Sequence, residues 1–355
     1  MSPSKVPPLP VVRAVDALRH RVGQLYRRLV PAPVAMMEMI TNAWAAQAIT
    51  AAADLGIADA LANGPLTADE LAAAVGADAD AVSRLLRALI SRGIFRQRRD
   101  GRFDLTPLAD TLRSDAEVSV AGFARFIGCP EHREHWSHLT GAVRTGRAVI
   151  PELRGMPAFE YLHSDERLAA IFNDAMTSGS ELAIAAVTAG YDFSRFATVV
   201  DVGGGHGRLL SAILTASPKS LGILYDLPDV VAGATRTDRL QIAEGSFFES
   251  VPPGGDAYVL KNVIHDWTDE DAVRILRNVR TAAGVGNVVL LVEFVIPEHD
   301  REFVGKWADL EMLVVAAARE RTAEEYGRIL QQAGFEMTRV VGTASPFSLV
   351  EARAV

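Results

Sequence analysis

The residues best equipped for chemistry lie in the C-terminal half of the chain. Leu260-Lys261-Asn262-Val263-Ile264-His265-Asp266-Trp267 begins at the end of a short apolar run that reads as a strand. Open α/β sheets bind ligands at the carboxyl ends of their strands, so His265 could face a bound substrate. An imidazole with a pKa near ~6.5 can take a proton from a positioned hydroxyl. Two carboxylates are candidates to orient the ring and stabilise its protonated form. Glu293 follows the apolar run 288–292, and Glu320 lies in Ala318-Arg319-Glu320-Arg321-Thr322. Alone, each has a plainer explanation: a capping acid, a surface ion pair, or a histidine satisfied by a backbone carbonyl.

A second constellation sits upstream. Thr198-Val199-Val200-Asp201-Val202 reads as a strand and runs directly into Gly203-Gly204-Gly205-His206-Gly207. Glycines at such a turn let the backbone approach a nucleotide closely. The dinucleotide pattern G-x-G-x-x-G fails in both frames, because Arg208 or Leu210 stands at the third glycine. A phosphate loop fails too, since no Gly-Lys-Ser/Thr follows. What fits is Asp201-x-Gly203-x-Gly205-x-Gly207, a turn suited to an adenosyl ligand without phosphates. The next strand ends at Asp226, whose carboxylate can accept hydrogen bonds from two ribose hydroxyls. A further strand leads to Gly245-Ser246-Phe247-Phe248, an apolar edge suited to an adenine face. His206 is a second candidate base, but its place inside the turn favours a loop contact.

The elements that must position these residues follow from composition and pattern. The 355 residues carry 49% hydrophobic side chains and a net charge of −8. That excludes disorder and disfavours general binding to phosphate backbones. The single cysteine, Cys129, excludes a disulfide framework and a multi-thiolate zinc site. MSPSKVPPLP has no apolar core of a secretory signal, and no apolar run reaches the ~18–20 residues of a membrane span. A reducing, cytoplasmic compartment is the expectation. Short β-branched runs at 198–202, 221–225, 257–260 and 287–295 alternate with helical segments, which predicts an α/β sheet covered on both faces.

The N-terminal third reads differently. Residues 1–10 carry four prolines and read as a loose arm. Residues 11–30 form a basic helical pattern, read as a solvated face or dimer contact rather than a membrane-surface helix. A helical pattern over 55–61 stops at Asn63-Gly64-Pro65, and Thr67-Ala68-Asp69-Glu70 is a capping box. A second helix is expected from Asp80, with Val82, Leu85, Leu86 and Leu89 on one face and Gly93 ending it. Asp100-Gly101 between 94–96 and 102–105 marks a hairpin. Helix, turn, helix and wing make a winged helix. Its recognition helix offers only Arg84, Arg87 and Arg92, so packing or dimerisation is favoured over DNA binding. His132, His135 and His138 invite a metal reading, but their spacing of three departs from the usual four.

Taken together, these motifs resemble the S-adenosylmethionine-dependent small-molecule O-methyltransferases. The group includes plant caffeic acid O-methyltransferase and bacterial polyketide, anthracycline and carotenoid O-methyltransferases. The resemblance runs from about residue 35 onward. It implies a Rossmann-like seven-stranded class I methyltransferase domain, with an N-terminal α-helical winged-helix dimerisation domain that does not bind DNA. The expected division is 1–115 for dimerisation and 116–355 for S-adenosylmethionine binding, with a helical segment 116–190 covering the substrate and a core at 191–355.

By this resemblance His265 matches the general base, and Glu293 and Glu320 match its flanking acids. Asp201, Gly203, Gly205, Gly207, Asp226, Ser246, Phe247, Lys261 and Trp267 match cofactor positions. Phe172, Met176, Asp266 and Met312 match acceptor positions, and no metal is implied. The chain departs from many relatives in having Ser246 where an Asp precedes the aromatic residue. Losing that charge-assisted bond is expected to weaken cofactor binding by about 1 kcal/mol or more. Ala316–Ala318 replaces a more polar stretch of the plant enzymes, so an apolar hydroxylated acceptor is expected. The partners implied are that acceptor and a second copy of the chain, with no nucleic acid. The competing readings are a cofactor-binding hydroxylase or decarboxylase-type tailoring enzyme, and a ligand-sensing winged-helix regulator.

Overall fold

A computed structural model describes residues 6–234 and 236–355. Residues 1–5 of the expected arm lie outside that range, and a helix, Leu9–Arg28, has already begun by residue 9. The chain divides into two compact units. One holds residues up to His20, Leu139–Ala158 and Ala183–Val355; the other holds Arg21–His138 and Phe159–Leu182. Among the described residues no helix is long and apolar enough to cross a membrane.

Among the described residues ten strands are formed: β1 (Phe95–Gln97), β2 (Phe103–Leu105), β3 (Thr198–Val202), β4 (Leu221–Asp226), β5 (Leu240–Glu244), β6 (Ala257–Lys261), β7 (Val288–Ile296), β8 (Arg321–Thr322), β9 (Phe335–Gly342) and β10 (Phe347–Ala354). The main sheet runs β5-β4-β3-β6-β7-β10-β9, with β8 paired to the end of β7. The first five strands in that order are parallel; β10 is antiparallel to both β7 and β9. This is the seven-stranded Rossmann-like arrangement expected from sequence.

Its central parallel strands β6 and β7 are near-continuous apolar runs because both faces are covered there. Tyr258, Leu260 and Leu291 pack with Ile275, Leu276 and Val279 of helix Asp269–Ala283 and with Ile329 and Leu330 of helix Ala323–Gln332. On the opposite face Val259, Leu290 and Val292 pack with Val187 and with Leu210, Ile213 and Leu214 of helix Arg208–Ala216. The residue after Val292 is Glu293, fully buried in the same strand.

In the other unit the capping box is present: Thr67 Oγ1 accepts from Glu70 N, Glu70 accepts from Thr67 N, and the helix is Ala68–Val75. The expected helix over 55–61 is broken, since Gly56 turns left-handed (φ 66°) between helices Ala32–Asp54 and Ile57–Ala60. The next helix, Ala79–Ile90, starts one residue before Asp80 because Asp78 caps it. Gly93 (φ 71°) ends it as expected: Gly93 N donates to Ile90 O at 2.9 Å and Ile94 N to Leu89 O at 3.1 Å, which closes the last turn. Val82, Leu86 and Leu89 are buried with Leu71, Phe95 and Phe103, while Arg84 and Arg87 are exposed. The wing, β1 paired with β2, closes over Asp100-Gly101 as expected.

Leu291 lies at the centre of β7 with no exposure. Leu291→Ala should cost about 2–5 kcal/mol. Urea unfolding checks this: the midpoint should fall with an unchanged slope, and a wild-type midpoint would contradict the packing described.

Candidate active site

The site is built at the carboxyl ends of β3, β4, β6 and β7. The β6 strand ends at Lys261, and Asn262 then adopts a left-handed φ of 53°, which turns the chain off the sheet into a single 3-10 turn, Ile264–Asp266. Glu293 Oε1 accepts the amides of Val263 (3.1 Å) and Ile264 (2.9 Å). His265 Nδ1 lies 2.7 Å from Glu320 Oε1. Its Nε2 lies 3.4 Å from Asp266 Oδ1, beyond ordinary hydrogen-bond length. The two carboxylates therefore have different tasks. Glu320 bonds the imidazole directly, whereas Glu293 holds the backbone that carries it.

Burial alone would lower the His265 pKa. The carboxylates of Asp266, Glu293 and Glu320 outweigh it and push the imidazole up to about 10. Burial raises Glu293 well above the ordinary carboxylate range although His265 pulls it down, and burial raises Asp266 against the same pull. The second oxygens of Glu293 and Glu320 are buried without a hydrogen-bond partner. The ligand atoms of His265, Glu293 and Glu320 lie within 4.8 Å of one another, close enough to hold a cation. In that set Nδ1 is already committed to Glu320, and Glu293 Oε1 to two amides.

The glycine turn is shaped by close approach. Gly203, Gly205 and Gly207 have φ of 68°, 58° and 74°. A Cβ on Gly203 would sit 2.8 Å from Val263 Cγ2, and one on Gly204 would sit 2.7 Å from the Asp201 carboxylate. Beside Gly205 there is open space. Asp226 accepts from Gly205 N (2.8 Å) and Leu227 N (2.7 Å), which leaves each oxygen further accepting capacity. Burial lifts the Asp201 carboxyl to about 7, against Lys261 and with Asp226, and its Oδ2 has no partner. Burial lowers Lys261, opposed by Glu293 and Asp201. Trp267 packs edge-on against Phe248 at 4.6 Å and Phe247 at 6.1 Å.

Residues 136–336 match the model of the O-methyltransferase domain, and residues 37–115 match that of the O-methyltransferase dimerisation domain. Phenazine O-methyltransferase of Lysobacter antibioticus is 40% identical over 333 residues, spanning 92% of this chain and 97% of that protein. This chain belongs to the S-adenosylmethionine-dependent O-methyltransferases. The methyltransferase is also 37% identical to the mitomycin biosynthesis 6-O-methyltransferase of Streptomyces lavendulae, over 89% of this chain and 93% of that one. A methyltransferase of calicheamicin biosynthesis, solved with S-adenosylhomocysteine bound, matches with a TM-score of 0.83 at 34% identity, over 91% of this chain and 98% of that one. These are enzymes of secondary metabolism.

The cradle described above fits the methyltransferase's cofactor. It offers an orphaned buried carboxylate oxygen, positive-φ glycines whose Cβ atoms would fill the turn, and an acid with spare accepting capacity. Ser246 Oγ accepts from Phe248 N at 3.3 Å, so it caps its own turn. Phe172 and Met176 lie on helix Glu166–Gly190 and Met312 on helix Val304–Val315. Phe172 packs edge-on against Phe126 at 5.6 Å, and Met176 is exposed. His132 and His135 are buried, and His132 Nδ1 lies 3.1 Å from Ile127 O. Asp309, on the same helix as Met312, accepts the Glu320 amide at 3.0 Å, and sequence reading missed the neighbour of Glu320, the buried Arg321. A signal for the latter existed: Thr322-x-x-Glu325 is a capping box, so a helix starts at Ala323 and the residues just before it, Arg321 among them, form a fixed approach.

A histidine whose folded pKa lies above its unfolded value contributes stability that is complete below about 6.5 and lost as pH rises toward 10. Melting temperature should therefore decline across that window, and His265→Gln should flatten the decline. An unchanged slope in the variant would contradict the charge arrangement described.

Proposed function

We propose that this methyltransferase transfers a methyl group to a hydroxyl of an apolar aromatic or polycyclic acceptor, with His265 as general base. The observation that carries the reading is the imidazole held at 2.7 Å by Glu320 through Nδ1, which leaves Nε2 as the nitrogen available for proton transfer. The relatives named for phenazine and mitomycin chemistry support a polycyclic acceptor. A phenol has a pKa near ~10, so proton transfer to an imidazole of ordinary pKa ~6.5 is uphill by about 5 kcal/mol. The carboxylates that push the cofactor-free ring up to about 10 hold it protonated at neutral pH, so the ring must give up that proton before it can take one from the acceptor. Glu320 stabilises the imidazolium that forms, and Glu293 keeps the turn in place while the charge changes.

When bound, S-adenosylmethionine supplies an electrophilic methyl on a cationic sulfonium, a charge that also favours the neutral imidazole. Asp201, Gly203, Gly205 and Gly207 would cradle it, Asp226 would bond its ribose, and Ser246, Phe247, Lys261 and Trp267 would hold its remainder. Phe172, Met176, Asp266 and Met312 are the acceptor residues in this reading. Proton removal by His265 needs no metal. The homodimer would form through the region of helix Ala32–Asp54, which exposes Met36, Met37, Ile40 and Trp44. The division into residues 1–115 and 116–355 belongs to the same proposal, as does a cytoplasmic location.

His265→Ala should lower turnover of a hydroxyphenazine acceptor by two to four orders of magnitude, the range for losing a general base. Calorimetry should show S-adenosylhomocysteine binding nearly unchanged. Wild-type turnover in that variant would sink the assignment. Gly203→Ala should do the reverse: at φ 68°, with Val263 2.8 Å from the new Cβ, the cradle must open. S-adenosylhomocysteine affinity should drop at least about tenfold, a cost of about 1.4 kcal/mol; unchanged affinity would remove the turn from the cofactor site.

A further inference from the structure

Arg321 follows Glu320 in the chain, and its side chain is fully buried. The guanidinium donates from Nη1 to Ile264 O at 2.9 Å and from Nη2 to Trp267 O at 2.9 Å. Nε and Nη2 also donate to Asp269 Oδ1 at 3.0 and 2.8 Å. Between those two carbonyls, His265 O accepts from Arg319 N at 3.2 Å. Segment 319–321 thus satisfies the carbonyls of residues 264, 265 and 267, while Glu293 satisfies the amides of residues 263 and 264. The same segment carries Glu320, the carboxylate bonded to the ring.

We infer that Arg321 is a positioning residue for methyl transfer: its planar fork fixes the distance between the turn carrying His265 and Glu320, the residue just before β8, and so sets the imidazole in its working orientation. This rests on the reading of His265 as the base. Arg321 acts through the turn, and its donors are consumed by backbone and by Asp269. The fork is the operative feature, because guanidinium presents its donors in one rigid plane whereas an ammonium is a point donor on a flexible stem. The carbonyls of Ile264 and Trp267, together with the Asp269 carboxylate, are matched by a plane of donors and not by a point. A mismatch lets the turn move relative to Glu320, and displacements of about an ångström can cost on the order of a hundredfold in rate.

Arg321→Lys keeps the positive charge and removes the fork, so it separates geometry from charge. The variant should lower kcat by about 10- to 100-fold while KM for S-adenosylmethionine stays within about twofold. The decisive readout is the His265 titration, followed by NMR in cofactor-free protein with ring-labelled histidine and identified by its loss in His265→Gln. In Arg321→Lys that titration should move down, toward ordinary histidine, as the bond to Glu320 loosens. Should this variant fail to fold, Asp269→Ala is the second test, since the Asp269 side chain is 58% exposed. It releases one edge of the fork and should shift the same titration in the same direction by less. A folded variant with the wild-type His265 titration overturns the proposal, whether kcat is normal or reduced together with melting temperature alone. If His265→Gln instead retains full turnover, the base reading fails, while a titration shift in Arg321→Lys would still establish that Arg321 positions the ring.

Discussion

The turn from Val263 to Trp267 is too short to satisfy its own backbone, and the site depends on how those groups are bonded from outside. Buried amides and carbonyls must find partners. A single 3-10 turn closes few bonds internally, and with poor geometry. Here Glu293 takes the amides on one side, and Arg319 and Arg321 take the carbonyls on the other. His265 is the side chain that this arrangement holds against Glu320. Asn262 makes it possible by accepting a left-handed backbone where β6 ends, a conformation that Asn tolerates better than most residues.

The same arrangement sets the electrostatics. A carboxylate in the middle of an apolar strand is expensive to desolvate unless it is bonded. Glu293 has no exposure, and two amides and the imidazole offset part of its cost. With Asp266 and Glu320 it gathers negative charge around one ring, which explains why burial does not strip His265 of its proton. The parallel strands matter because they bring Asp201, Asp226, Lys261 and Glu293 to one edge of the sheet. A cofactor cradle and a proton acceptor thereby share one boundary.

Much of this was legible in the chain. The glycine turn is visible because positive φ and close approach demand glycine, and its order behind a strand separates it from phosphate loops. Thr67 and Glu70 announce their helix through local bonds alone. His265 is legible as part of a motif at a strand end. What escaped reading depends on residues distant in sequence. Nothing local tells that Glu293 bonds backbone while Glu320 bonds the ring, because the two lie 30 and 55 positions beyond the amide and the imidazole they serve. Arg321 looked like one more charge in a polar run until its guanidinium was seen closing on carbonyls from residues 264 and 267. Gly93, by contrast, was legible: its positive φ closes the end of the helix, with Gly93 N bonded to Ile90 O and Ile94 N to Leu89 O.

The central claim is that the carboxylates around His265 hold a proton on an imidazole poised to exchange it with an acceptor hydroxyl. Neutron diffraction from deuterium-exchanged crystals of the cofactor-free protein at pH 8 tests it directly. The account predicts deuterium on both Nδ1 and Nε2 of His265. A bare Nε2 or a bare Nδ1 would contradict it.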